Sequence, residues 1–202
     1  MSVALQPFGD GAWRASLPEG VNRRALLEAL RAVPRVVDAV VTERHAVVTF
    51  EPGAAPGGVN EVIEHALSAT TTASTPRGHV VRVRYGAEDL DELAQRAGLS
   101  PAEVISLHSE QAYVVALIGF LPGFAYLRGL DPRLIVPRRA SPRPRIAAGS
   151  VAVAGPYTGV YPFASPGGWN IIGIAVGFAP FDVHSGAVLA IGDRVRFVRD
   201  EP

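Results

Sequence analysis

A chain of 202 residues with 48% hydrophobic content can bury one large core or two small ones, which excludes a disordered protein. Its nineteen acidic residues balance nineteen basic ones, so it has no general attraction for nucleic acid or for an acidic membrane. Cysteine is absent and every basic residue among the nineteen is Arg, which excludes disulfides, thiolate catalysis, zinc fingers, a Walker A lysine and a Schiff-base amine together. "MSVALQPFGDGAW" lacks a charged n-region followed by an apolar h-region, and no apolar run is long enough and free enough of Gly and Pro to span a bilayer. The expected location is the cytoplasm, without membrane association.

In chain order, "AWRASLP" reads as a strand. "NRRALLEALRAV" reads as a helix, with Asn22 as its cap and Leu26, Leu27 and Leu30 at helical spacing. "RVVDAVVTERHAVVTFEP" reads as a hairpin turning at Thr42 to Arg44, and "GGVNEVIEHALSA" as a second helix. This β-α-β-β-α order points to an open sheet with two helices on one face, a ferredoxin-like plait. The Ser/Thr-rich "SATTTASTPRG" reads as a linker. The alternating "HVVRVRYG" that follows either closes the plait or opens a second domain.

"EDLDELAQRAG" and "SPAEVISLH" read as two short helices. The first stops at Gly98; the second starts with Ser100 as cap, Pro101 at the first position and Glu103 at the third. Neither is notably basic, so the pair is assigned to packing rather than to DNA reading. From Tyr113 the chain changes character. Eight of the seventeen prolines fall between Pro122 and Pro166, among the short apolar runs "YVVALIGF", "GSVAVAG", "WNIIGIAVGF" and "RVRFV". Short strands with frequent Gly/Pro corners predict a closed or nearly closed β-barrel.

Where chemistry lies is less directly written. His45, His65, His79 and His184 read as surface or structural residues. His108 ends a helix; its imidazole either caps that helix or, held at a barrel rim, is tuned for proton transfer. "GFLPGFAYLRGL" sets Phe120, Phe124 and Tyr126 on a loop stiffened by Pro122 and Gly123, where they line a pocket or pack the core. "PRRASPRPRIAAGS" carries Arg138, Arg139, Arg143 and Arg145 on an extended segment. Such arginines suit bidentate recognition of a carboxylate or phosphate, or form a solvated basic edge. Ser165 precedes Pro166 and has no nucleophile elbow around it, so no serine triad is expected. No His/Asp/Glu cluster has metal-ligand spacing, and no metal is expected.

Several motifs together, Leu107-His108, "IGFLPGFAYLRGL", "PRPRIAAGSVAVAG", "TGVYPFASPGGWNIIG" and the closing "GDRVRF", resemble the allophanate hydrolase subunit 1 or KipI-like family, which includes the B component of 5-oxoprolinase. The resemblance implies an α+β chain, with a ferredoxin-like domain and linker over 1–78 and a cyclophilin-like β-barrel over 79–202. It implies a subunit of an ATP-dependent amide or lactam hydrolase, 5-oxoprolinase above all, with ATP as co-substrate of the complex and no metal on this chain. The implied partners are a cyclophilin-like subunit 2, equivalent to the C component of 5-oxoprolinase, and a third hydrolase subunit. The chain alone is expected to be inactive. The alternatives are a KipI-like protein that inhibits a histidine kinase and a component of a urea amidolyase. Carried onto this chain, His108 is assigned to proton transfer or substrate contact, and Arg143 and Arg145 to holding carboxylate or phosphate. Tyr161, Ser165, Gly167, Gly168 and Trp169, with Phe120 and Phe124, would shape the pocket or meet the partner. The chain departs from the family pattern at Tyr157, where Gln is common, and at Ile174, where Arg is common and would offer an anion contact.

Overall fold

In the computed structural model, which describes residues 4–54, 56–68 and 75–200, the chain falls into two units, Met1–Pro76 and Arg77–Pro202. Residues 69–74, the centre of the expected linker, lie outside the described residues.

The first unit runs β1 (Leu5–Pro7), β2 (Ala12–Ser16), α1 (Arg23–Arg31), β3 (Val36–Val41), β4 (His45–Phe50) and α2 (Val59–Ser68). The Asn22 carboxamide accepts the Ala25 backbone N–H at 3.2 Å and starts α1, as its sequence predicts. Along β4 the buried residues alternate strictly as Ala46, Val48 and Phe50, and with Leu26, Leu30, Val59 and Ile63 they make up the apolar interior. The sheet order is β1-β2-β4-β3, antiparallel throughout. Thus β4 is inserted between β2 and β3, the two strands that α1 connects.

The second unit contains β5 (Gly78–Tyr85), α3 (Leu90–Ala97), α4 (Pro101–Ser109), β6 (Ala112–Ile118), β7 (Ala125–Arg128), β8 (Arg143–Ile146), β9 (Ser150–Ala154), β10 (Tyr157–Val160), β11 (Ser165–Gly167), β12 (Asn170–Val176), β13 (Phe181–Asp182), β14 (Gly186–Ala187) and β15 (Arg194–Arg199). Seven of these strands close into a barrel in the order β10-β7-β6-β15-β5-β12-β9, shut by the β9–β10 hairpin; β11 pairs with β8 and β13 with β14 outside it. The strand left open by sequence, "HVVRVRYG", belongs to this barrel and lies parallel to β15. Every barrel strand contributes to one apolar interior, among them Val81, Val115, Leu127, Val153, Val160, Ile172 and Phe197, joined by Leu90, Leu93 and Val104 from α3 and α4. The two helices therefore pack, α3 on β12 and α4 on β15. Both keep their predicted boundaries: Gly98 ends α3 with φ 67°, and Ser100 and Glu103 form a reciprocal capping box on α4.

Candidate functional site

The barrel wall has two faces, and β10 shows which sequence-predicted residues meet. Thr158 points inward, whereas its neighbour Gly159 points outward toward Phe124 and Trp169.

On the inner face, His108 has no exposure. It is stacked on Phe197 at 4.6 Å between ring centroids. Thr158 Oγ1 donates to the Ala152 carbonyl at 3.0 Å, so the same oxygen accepts from His108 Nε2–H at 2.8 Å. That fixes the tautomer: Nδ1 is the acceptor, and the Tyr85 hydroxyl donates to it at 2.8 Å. Tyr113 O–H closes the set by donating to the His108 carbonyl at 2.9 Å. Burial lowers the imidazole pKa to about 3, leaving the ring neutral, and burial pushes both tyrosine hydroxyls well above their ordinary value. The barrel-rim position expected for His108 is therefore not where it lies. The reason is packing: the end of α4 enters the barrel interior, and all of the imidazole's hydrogen-bonding capacity is used there. The carbonyl-capping alternative is not realised by its ring either.

On the outer face an aromatic cluster forms around Phe124, which is 1% exposed. It meets Phe120 at 5.6 Å, Tyr126 at 5.1 Å, Tyr161 at 5.1 Å and Trp169 at 5.2 Å, edge to face in each case. Glycines make this approach possible. A Cβ on Gly159 would lie 2.8 Å from the Ala125 carbonyl oxygen, and one on Gly167 would occupy the place of the Tyr161 hydroxyl. Gly168 is under no such constraint, but its carbonyl accepts the Arg139 backbone N–H at 2.7 Å. Ser165 is buried and its Oγ has no hydrogen-bond partner among the described residues. Burial pushes the Tyr161 hydroxyl up to about 12 against the opposing pull of the Trp169 backbone N–H and Arg138; burial likewise raises Tyr126, again opposed by Arg138. Arg138, itself exposed, thus places its charge near both hydroxyls.

The arginine segment is anchored by a residue the sequence reading did not single out. Asp89, 1% exposed at the start of α3, accepts from Arg143 Nη1 at 2.8 Å and Nη2 at 2.7 Å, and from Arg139 Nη1 at 2.7 Å. The Ile171 backbone N–H, in the strand after Trp169, adds a further bond at 2.7 Å. Burial drives the Asp89 carboxyl up, but the hydrogen bonds of Arg143 and Ile171 and the charges of Arg143 and Arg139 outweigh it and hold the group below its ordinary range. Arg143 also pairs with Glu88 at 3.1 Å. The bidentate carboxylate recognition expected of Arg143 is real, but its carboxylate comes from the chain itself. Arg145 remains exposed.

The expected grouping thus divides. Phe120, Phe124, Tyr161, Ser165, Gly167 and Trp169 gather on one outer face, flanked by Arg138 and the Asp89-anchored segment, while His108 lies on the far side of the sheet. Chemically the outer face carries the half-buried Tyr126 hydroxyl and the exposed guanidinium groups of Arg138 and Arg145, groups of the kind that hydrogen-bond an anion or a carbonyl. Among the described residues, no histidine joins this cluster, and the sequence has no Cys. Among the described residues, no three His, Asp or Glu side chains come together as a metal site. No described helix is long and apolar enough to cross a membrane.

Known proteins share this architecture. The family model for the carboxyltransferase domain, subdomain C and D, matches residues 3–186. Proteins named as the B component of 5-oxoprolinase are similar: the one from Bacillus subtilis (strain 168) is 48% identical over 125 residues, covering 59% of this chain and 51% of its own. That from Escherichia coli O157:H7 is 49% identical over 115 residues, covering 56% of this chain and 52% of its own. The chain therefore spans about half the length of these relatives. Among solved structures, the protein TTHA0988 superposes with a TM-score of 0.82 at 40% identity, over 95% of this chain and 40% of that one. The conserved uncharacterized protein PH0987 from Pyrococcus horikoshii is 31% identical over 98% of both chains, with a TM-score of 0.58. The Kluyveromyces lactis urea amidolyase matches in fold, with a TM-score of 0.73 at 15% identity over 98% of this chain and 15% of its own.

Proposed function

The chain belongs to the carboxyltransferase domain, subdomain C and D, family, as its motifs lead one to expect, and we propose that it serves as one subunit of an ATP-dependent amide or lactam hydrolase, a 5-oxoprolinase converting 5-oxoproline to glutamate. The observation that carries this reading is its 48% and 49% identity with proteins named as the B component of that enzyme. The geometry agrees with a shared site. The chain contributes an aromatic wall, the half-buried Tyr126 hydroxyl, and the exposed Arg138 and Arg145 for the substrate carboxylate or a phosphate. A partner equivalent to the C component supplies the proton-transfer groups, and it or a third subunit binds ATP. With no Lys and no phosphate loop, the nucleotide finds no Walker-type cradle on this chain. On the same reading the first unit is a ferredoxin-like plait in which β1 takes the outer position beside β2, the barrel is of cyclophilin type, and the complex works in the cytoplasm.

The test is reconstitution with the C component and the third subunit from the same genome, followed by an assay of 5-oxoproline-dependent ATP hydrolysis. Activity is expected of the complex and not of the chain alone. Turnover by the isolated chain overturns the shared site. A complex that hydrolyses a carboxylated urea but not 5-oxoproline overturns the substrate.

A further inference from the structure

Four neighbouring barrel strands, β6, β15, β5 and β12, turn outward a set of side chains that the aromatic cluster does not use. Their exposed residues include Arg82, Arg84, Arg194 and Arg196 and no Asp or Glu, in a chain whose formal charge sums to zero. Register sets Arg194 opposite Val114, Arg196 opposite Val80 and Arg84 opposite Ile174. Those three apolar residues are 40%, 57% and 52% exposed, so the arginine stems do not cover them. On a sheet face that meets only water, a residue of opposite charge is the stabilising cross-strand neighbour for Arg, and here none takes that place. Asp200, just past β15, offers one carboxylate to two guanidinium groups, Arg82 at 3.7 Å and Arg84 at 3.3 Å. Arg194 and Arg196 have no ion-pair partner among the described residues. Two positions apart on one strand, their charges stand roughly 6–7 Å from each other and repel. The wall is thus a checkerboard of positive charge and exposed Val and Ile.

We propose that this wall binds an acidic protein segment in which carboxylates are interspersed with apolar side chains. The surface is independent of the hydrolase reading. Charge complementarity selects the first half of that occupant: carboxylates relieve the Arg194–Arg196 repulsion and take up guanidinium donors that Asp200 leaves over. The register selects the second half. Phosphates alone would satisfy the arginines but leave Val80, Val114 and Ile174 facing water, whereas apolar side chains set among carboxylates cover them. Nucleic acid is disfavoured on a further ground, because no aromatic ring stands among the exposed residues of these strands for a base to stack on. Arg is also the charged residue that protein interfaces favour.

The test is calorimetry on the full chain with two twelve-residue peptides of equal charge, one repeating Glu-Glu-Val-Val and the other Glu-Glu-Ser-Ser. The variants are Arg194→Ala with Arg196→Ala, and Val80→Ser with Ile174→Ser; all four positions are exposed, so the thermal midpoints stay near that of wild type. The Val peptide is expected to bind wild type at least about fivefold more tightly than the Ser peptide, and about tenfold more weakly in either double variant. Raising salt from about 50 to about 300 mM weakens it further. No binding of the Val peptide, or equal binding by wild type and the arginine variant, overturns the surface. Equal affinity for the two peptides overturns the assigned occupant. So does tighter binding of a twelve-nucleotide single-stranded DNA, or of phosphatidylserine vesicles, than of the Val peptide.

Discussion

Arg143 grips Asp89 through two parallel hydrogen bonds, Nη1 to Oδ2 at 2.8 Å and Nη2 to Oδ1 at 2.7 Å, and so ties the extended arginine segment to the start of α3. Asp89→Asn leaves two guanidinium groups facing a neutral amide and is expected to lower unfolding free energy by about 2–4 kcal/mol. Urea denaturation at pH 7 checks this, and a loss within measurement error removes the pair from the fold's support. Because the folded carboxyl titrates below its unfolded value, its contribution is present above the unfolded pKa and fades as pH falls through the lower folded one.

His108 has the same direction of shift for a different reason. Burial depresses it to about 3, while the unfolded imidazole titrates near 6.5. The folded state cannot take up the proton that the unfolded state binds. Stability from the neutral ring is therefore complete above about pH 6.5 and is lost as pH falls toward 3, by about 1.4 kcal/mol per pH unit. His108→Gln removes this component, so the acid slope of unfolding free energy flattens relative to wild type. An unchanged slope in urea titrations between pH 4 and pH 6.5 would place the acid sensitivity elsewhere.

Gly159→Ala tests the wall between the two faces. Its methyl group meets backbone, the Ala125 carbonyl oxygen at 2.8 Å, and lies 3.6 Å from Trp169. The expected cost is about 1–3 kcal/mol, with tryptophan emission shifting red as the indole is displaced from its buried seat. Unchanged fluorescence and stability would show that the strand has room to spare there.

Arg143 and Arg145 are two residues apart, but Arg143 is tied to Asp89 whereas Arg145 is exposed. On the proposed 5-oxoprolinase reading, Arg145→Ala is expected to leave stability within about 0.5 kcal/mol but to raise the reconstituted complex's KM for 5-oxoproline about tenfold. Arg143→Ala destabilises the isolated chain first, by breaking the Asp89 lock. Equal stability loss in both variants would contradict the assignment.

Local chemistry carried much of the fold into the sequence. Asn22, Gly98 and the Ser100–Glu103 pair set helix ends through bonds made within one turn, so their effect is visible from adjacent letters. Alternation in "RVRFV" and the Gly/Pro corners pointed to a barrel for the same reason. The site was less legible. Asp89 reads as one more acidic residue at a helix start, because its partners Arg139 and Arg143 stand 50 and 54 positions away. His108 reads as a helix-end or rim residue, and nothing local shows that Thr158 and Tyr85 receive it inside the barrel.

By itself, the sequence determined which segments are strands, helices and corners, which chemistries are impossible for want of Cys and Lys, and the family to which the motifs belong. Only the tertiary structure decided the sides. A strand turns successive residues to opposite faces, so Thr158 and Gly159 separate His108 from Trp169, and barrel closure, a long-range event, fixes which side chains share the interior and which gather outside it.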